Sequence, residues 1–295
     1  MKKWLLRIVT VLALIVLLIA AALGYAYFIE PRRLVVNEAT LTIPDFSSGL
    51  NGLKIVAISD IHGGSNHVDE SRLRELVELA NEQSPDLVVL LGDYVAESKG
   101  SKRNKQLPDD ADKTELRMPV ETIADNLSGF RAKYGVYAVI GNHDWWHNQS
   151  KVRREFERVG IRILENQIEK ISIGSETISL WGIEDYWKSR HVPAEPFNKV
   201  SEKKNVIALT HNPDSLLKTP QGISLMIAGH SHGGQVSFPF FGPIATVNDR
   251  RFMAGETVVD GKHVFVTSGV GCSGPQIRFG IPPEIAVLTL TSIDK

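Results

Sequence analysis

Only one cysteine, Cys272, occurs in the 295 residues. That scarcity excludes an internal disulfide framework and any zinc cluster built on several thiolates. An excess of charge of either sign is also missing, with 33 Lys+Arg against 34 Asp+Glu. So even a balance offers no broad basic surface to release counterions from a phosphate backbone, and no nucleic-acid partner is expected. No internal repeat is visible, and nothing points to a protein partner. What remains is an ordinary globular composition, 43% hydrophobic and 23% charged, expected to build one domain. With thiolates absent, any bound metal must be held by His, Asp, Glu or Asn.

One long hydrophobic run stands at the amino terminus. The stretch from Ile8 to Ile29 carries no charge and matches the roughly 20 residues a helix needs to cross a bilayer. Its small residues, Ala20-Ala21-Ala22 and Gly24-Tyr25-Ala26, leave a cleaved signal peptide as the alternative. The run exceeds the roughly 7 to 15 residues of a signal core, which favours an uncleaved single-pass anchor. Lys2, Lys3 and Arg7 precede it and Arg32 and Arg33 follow. This slight bias puts the amino terminus in the cytoplasm and the body on the outer face of the cytoplasmic membrane. The chain therefore divides into an anchor (1–30), a linker with a first strand (31–52) and the main domain (53–295).

Within that domain, short apolar runs stop repeatedly at polar residues. "LKIVAISD" (53–60), "PDLVVLLGDY" (85–94), "GVYAVIGNHD" (135–144), "NVIALTHNPD" (205–214) and "ISLMIAGHSHGG" (223–234) share the form. Each reads as a buried strand whose carboxyl end carries function. Between them, Leu73, Leu76, Val77 and Ala80 recur at helical spacing behind Asp69, a candidate N-cap. "SKVRREFERVG" (150–160) is a second helical pattern, so the class is α/β. The later residues are richer in strands and turns, suggesting a second, more antiparallel sheet. Residues 97–116, charged and poor in large apolar side chains, read as an exposed, mobile insertion.

The polar residues at the ends of these runs are Asp60, His62, Asp93, Asn142, His143, His211, His230 and His232. Singly, an Asp after a strand is a turn former or a cap, and a lone His is a packed ring. Together they bring five of the nine histidines to one edge of a sheet. Carboxylate, imidazole and carboxamide donors suit divalent manganese, with iron or zinc as alternatives. In extended backbone the pair His230/His232 would project to one face, about 7 Å apart along the chain, so that each ring serves a different ion.

"SDIH", "GDYV", "GNHD", "THNPD" and "GHSHGGQ", in that order, resemble the five motifs of the calcineurin-like metallophosphoesterases. The tail "GPQIRFGIPPEIAVLTL" resembles the membrane-anchored bacterial branch of that family. The resemblance implies a four-layer α/β/β/α sandwich and two divalent metal ions. Asp60, His62 and His232 would hold one ion, Asn142, His211 and His230 the other, with Asp93 bridging them. It also implies that His143 contacts the scissile phosphate and protonates the leaving oxygen, oriented by Asp144. Two cations acidify water and clamp phosphoryl oxygens, so the implied chemistry is hydrolysis of a phosphodiester or pyrophosphate bond. Within the bacterial branch the specific substrate implied is UDP-2,3-diacylglucosamine, a lipid A precursor. Alternatives are a generic envelope phosphatase or phosphodiesterase, and a metal-binding interaction module without turnover.

Aromatic residues supply further candidates. Trp145, Trp146, Tyr186 and Trp187 follow strand ends and read either as packing or as a substrate-stacking wall. In "SFPFFGP" (237–243), Phe238, Phe240 and Phe241 form a hydrophobic hairpin, dip into the bilayer or hold an acyl chain. Trp145, Trp146, Phe240 and Phe241 are the expected substrate contacts, and the expected partners are the bilayer and an amphiphilic phosphate ester. His67, His147, His191 and His263 are assigned no metal role, and Lys99, Lys102, Arg103 and Lys105 read as a solvated loop.

Overall fold

The computed structural model describes residues 2–108 and 110–293. Its helices, in chain order, are α1 (Lys2–Phe28), α2 (Glu70–Glu82), α3 (Val120–Leu127), α4 (Asn142–His147), α5 (Gln149–Arg158), α6 (Tyr186–Ser189) and α7 (Glu195–Asn198). A first six-stranded sheet contains β1 (Val35–Ile43), β2 (Leu53–Ile58), β3 (Leu87–Leu90), β4 (Val136–Ala138) and β5 (Arg162–Ile163). A second contains β6 (Gln167–Ile173), β7 (Glu176–Gly182), β8 (Val206–Leu209) and β9 (Leu225–Ala228). After a two-stranded hairpin, β10 (Ser237–Phe238) with β11 (Gly242–Pro243), the chain completes the second sheet with β12 (Gly255–Val259) and β13 (Lys262–Val266). It then returns to the first sheet as β14 (Glu284–Ser292).

Strand order is β1-β14-β2-β3-β4-β5 in the first sheet and β12-β13-β9-β8-β7-β6 in the second. Strands β2 to β5 run parallel, as do β7, β8, β9 and β13. Every residue of β3, β8 and β9 is buried, as expected when both faces of a parallel sheet are covered. The second sheet is thus antiparallel only at its margins, in β6/β7 and β12/β13. The first sheet has one antiparallel pair, β14/β2, so the second is the more antiparallel of the two, as expected; its inner strands, joined by crossovers rather than tight turns, pair in parallel.

Alternating side chains divide between two interiors. Ile55, Ala57, Leu87 and Val89 face Leu180, Ile207, Leu209 and Ile227 across the gap between the sheets. Val56, Ile58, Val88 and Leu90 pack outward on Leu73 and Leu76 of α2, Ile123 of α3 and Phe156 of α5. Ala208, Met226 and Val264 pack outward on Phe197, Leu216 and Phe252. The layers are helix, sheet, sheet and a thinner cover of short helices, the expected α/β/β/α order. Asp69 caps α2 by accepting the Arg72 amide at 3.0 Å.

The stretch 31–52 is tied into the domain, since all nine residues of β1 pair with Glu284–Ser292. The described residues of 97–116 are largely exposed, as expected, and are tied to the body. Glu97 bridges Leu116, the Lys113 amide bonds His147 O at 3.0 Å and Lys113 is buried. Among the described residues, α1 is the single helix long and apolar enough to cross a membrane.

Candidate metal centre

The parallel strands β2, β3, β8 and β9 end at one edge, and the turns that follow deliver the polar residues. Asp60, His62, Asp93, His230 and His232 all have φ between 47° and 68°, the left-handed region that costs most side chains energy. Five such residues in one cluster place backbone strain at the candidate site. The arrangement of the last pair therefore comes from left-handed turns rather than extended backbone, yet His230 and His232 still join different donor groups. Close approach makes it possible: a Cβ on Gly229 would lie 1.9 Å from Ser59 Oγ, and one on Gly141 would lie 2.3 Å from Asp93 Oδ1.

Three overlapping groups of donors result, one of which is His62, Asp93 and His143; the other two do not include His143. Asp60, His62 and His232 offer atoms within 4.8 Å of one another, as do Asp93, His211 and His230. In the first, His62 Nε2 is 3.3 Å from His232 Nε2, which is 3.2 Å from Asp60 Oδ1. In the second, His211 Nε2 is 2.9 Å from His230 Nδ1 and 3.1 Å from Asn142 Oδ1. Asp93 Oδ2 lies between them, 3.2 Å from His211 Nε2 and 3.7 Å from His62 Nε2. The backbone carbonyls of Val95 and Leu91 accept from Nδ1 of His62 (3.2 Å) and His211 (2.8 Å). That contact turns Nε2 of both rings toward the centre.

These donors fit divalent cations. Asp60 Oδ1 and His230 Nε2 are buried without a hydrogen-bond partner, an expensive condition unless an ion completes them. Burial, reinforced by neighbouring imidazoles and by Arg278, holds His62 and His232 down at about 3. Burial and His211 likewise push His230 well below its usual value. Three of the four ligand rings are thus neutral, as metal binding requires. His211 is the exception: burial disfavours its charge, but Asp93 outweighs burial and raises it to about 10. Burial opposes the charge of Asp93 too, yet His211 and His143 keep it well below the ordinary carboxylate range.

His143 lies at the amino end of α4, with Nε2 4.0 Å from Asp93 Oδ2. Its amide donates to Asp93 Oδ1 at 2.8 Å, so ligand and histidine share one carboxylate. The carboxylate on the His143 ring is Glu97, 2.6 Å from Nδ1. Asp144, to which the family resemblance gave that orienting part, does something else. Its two oxygens accept the amides of Asp93, Tyr94, Val95 and Gly141 at 2.8 to 3.2 Å, stapling the loop after β3 to the start of α4. Burial and Asp93 push Asp144 up to about 7. For His143, burial works against the charge, but Asp93 and Glu97 overcome it and raise the ring to about 9. A ring that holds its proton near neutral pH is suited to donate it.

An aromatic wall borders this edge. Trp146 lies 4.9 Å from His143 and stacks with Trp187 at 6.1 Å, while Trp187 meets His230 edge-on at 4.4 Å. Trp145 stands one step back, its indole NH donating to Asp185 at 3.2 Å. Phe240 and Phe241 are fully exposed at the hairpin tip, and no described ring contact joins them to the ligands. His147 bonds Thr114, His263 bonds Glu256 and His67 bonds Arg32 and Tyr27.

Sequence reasoning missed Glu97, set aside with the charged stretch; its place four residues after Asp93 in "GDYVAE" was the available signal. It also missed Arg278. This fully buried guanidinium donates to the carbonyls of Ser268, Gly269 and Gly271. The same loop bonds Ser59 O and Asp60 O through the amides of Val270 and Gly271.

A buried edge that gathers carboxylate and imidazole donors around one shared aspartate, with a protonated histidine beside it, defines a metal-dependent hydrolase. The chain belongs to the calcineurin-like phosphoesterase family, which residues 53–234 match, and is a metal-dependent phosphoric ester hydrolase. It is 28% identical over 273 residues to the uncharacterized metallophosphoesterase YkuE of Bacillus subtilis (strain 168), covering 91% of this chain and 90% of that protein. It is 29% identical over 276 residues to the phosphodiesterase YaeI of Escherichia coli (strain K12), covering 92% and 93%. A transmembrane protein with metallophosphoesterase domain from Danio rerio is 29% identical over 297 residues, covering 95% of this chain and 62% of that protein.

Proposed function

We propose that this protein is a membrane-anchored phosphodiesterase or pyrophosphatase that uses two divalent ions, manganese first, on an amphiphilic phosphate ester. The observation that carries the reading is Asp93, whose Oδ2 faces donors of both groups while its Oδ1 accepts the His143 amide. Asp60, His62 and His232 would hold one ion, Asn142, His211 and His230 the other, and Asp93 both. When bound, the ions supply positive charge against phosphoryl oxygens and make water acidic enough to attack near neutral pH. His143 presents its protonated Nε2 to the leaving oxygen, and Glu97 fixes the ring by holding Nδ1. Trp146 and Trp187 cover the edge, limit water and offer stacking faces to a base or sugar.

Anchorage by α1 supports an amphiphilic substrate, because it confines the enzyme to the surface where such molecules reside. The relative named a phosphodiesterase supports diester chemistry, and the one named a transmembrane protein supports the anchor. UDP-2,3-diacylglucosamine is the specific candidate. The positive charges before α1 favour an outward-facing body and, with it, a second reading as a phosphodiesterase of envelope material.

The test is hydrolysis of bis-p-nitrophenyl phosphate by the full chain in detergent, with and without Mn²⁺. Manganese-dependent turnover that falls about 10²-fold in His143→Ala is expected; activity undiminished by that change removes the mechanism. Acylated and deacylated UDP-sugars then separate the substrates: faster hydrolysis of the acylated form is expected, and equal rates count against the lipid.

A further inference from the structure

The hairpin of β10 and β11 grows directly from the metal loop. Its base packs on Gly234, two residues beyond His232, where an added Cβ would lie 2.4 Å from Pro243 Cβ. Its tip is built against two ordinary rules. Phe240 adopts φ 70°, a region that favours glycine or asparagine and is unusual for a bulky aromatic. The same side chain is 105% exposed and its neighbour Phe241 90%. Ile244 and Val247, in the loop that follows, are exposed as well. Such a contiguous apolar group marks a surface that meets a partner.

The neighbouring contacts say which partner. Phe238 meets Phe279 at a ring distance of 5.2 Å, and Phe279 meets Tyr25 of α1 edge-on at 6.1 Å. The Arg278 amide bonds Ala26 O at 3.0 Å, so the hairpin root and the last turns of α1 share one short segment. From Ile8 to Tyr27, the uncharged part of α1 spans about 30 Å at 1.5 Å per residue, the thickness of a bilayer core. Tyr25 and Tyr27 are therefore at headgroup level, and Arg33 reaches Tyr25 Oη at 2.9 Å. The root of the hairpin lies one ring away from that level.

We infer that the tip of this hairpin, Phe240 and Phe241 with Ile244 and Val247, is a second membrane contact, inserted into the leaflet where α1 ends. It rests on the reading of α1 as an anchor and adds an orientation to it. A helix alone leaves the domain free to rotate about its axis; a second point fixes the metal edge at the bilayer surface. Exposed Arg250, on the loop after the hairpin, adds a cation for anionic headgroups, while its neighbour Arg251 pairs with Asp249 at 2.7 Å.

The experiment uses the full chain in nanodiscs of phosphatidylcholine and phosphatidylglycerol. A polarity-sensitive fluorophore is placed on Phe241→Cys, on Leu14→Cys within α1, or on Lys102→Cys, each in a Cys272→Ser background. At positions 241 and 14, emission should be quenched by spin-labelled lipid and shielded from iodide. The shallow label should act more strongly at 241, consistent with insertion about 5–10 Å deep. Position 102 should show the reverse. Iodide access at 241 equal to that at 102, with position 14 lipid-quenched, overturns the inference and leaves the anchor standing. Shielding at 241 without lipid quenching assigns the tip to a protein contact and also overturns it. Iodide access at position 14 removes the anchor itself, and the inference with it.

Discussion

Two regions of this molecule invert the usual distribution of side chains. At the metal edge, Asp60, His62, Asp93 and His211 are each no more than 2% exposed. Along α1 and the hairpin tip, apolar side chains stand in the open, Phe240 completely so. On the function proposed above, each inversion faces a partner, cations in one case and lipid in the other. They differ in how the protein maintains them. The metal edge is fixed by internal bonds: four amides on Asp144, carbonyls behind His62 and His211, and Arg278 beneath the loop that meets Asp60. Along the most apolar window of α1, which is 0% buried, none of the described residues covers the helix. Catalysis needs atoms fixed within a fraction of an ångström; partition into lipid needs only area.

Changes at the polar region should therefore act on chemistry, and changes at the apolar region on location. The largest effect is expected for Asp93→Asn, which weakens the carboxylate that faces both donor groups. Its kcat on bis-p-nitrophenyl phosphate should fall roughly 10²–10³-fold, while its partition into vesicles stays that of the wild type. Loss of both together would break the contrast.

Glu97→Gln should cost about 10–100-fold in kcat, the range for removing a carboxylate that orients a site histidine. It should also leave a mark on the pH profile. His143 donates only while protonated, so the rate falls as pH rises through its folded value of about 9. Removing the Glu97 charge lowers that value and moves the alkaline limb to lower pH. An unmoved limb would assign Glu97 a purely structural part.

Metal binding offers a third test. His62, His230 and His232 are already neutral, whereas His211 is raised to about 10 and must lose its Nε2 proton. Calorimetry at pH 8 in buffers of differing ionisation enthalpy should report net release of protons, with affinity rising as pH rises. Uptake of protons would contradict this account.

The smallest effects belong to α1. Truncation at residue 20 should leave turnover of a soluble substrate unchanged. Truncation through residue 33 should lower Tm by a few degrees, at about 1 kcal/mol per hydrogen bond lost. It removes the carbonyls of Ala26 and Tyr27 that accept from Arg278 and Asn66, together with buried Glu30 and Pro31.

Much of this was legible from residues alone, for identifiable reasons. Apolar runs ending at Asp60, Asp93 and His211 are covered on both faces, so nearly every position reads as core until the strand stops. The helix over 70–82 announced itself through Leu73, Leu76 and Val77 behind the Asp69 cap. What stayed hidden depends on contacts between distant parts of the chain. The pairing of β1 with β14 joins residues about 250 apart. Glu97 acquires its place from His143, 46 positions later, and periodicity carries no trace of such a meeting. The left-handed turns at His230 and His232 were not read because histidine, though enriched at positive φ among non-glycine residues, adopts it only in a small minority of positions.

The account turns on whether this edge gathers a pair of ions around Asp93. Metal analysis of the full chain in detergent, after saturation with Mn²⁺ and removal of excess, should return about two ions per chain, and fewer for Asp93→Asn. A wild-type protein that saturates at a single ion, or binds none, would contradict it.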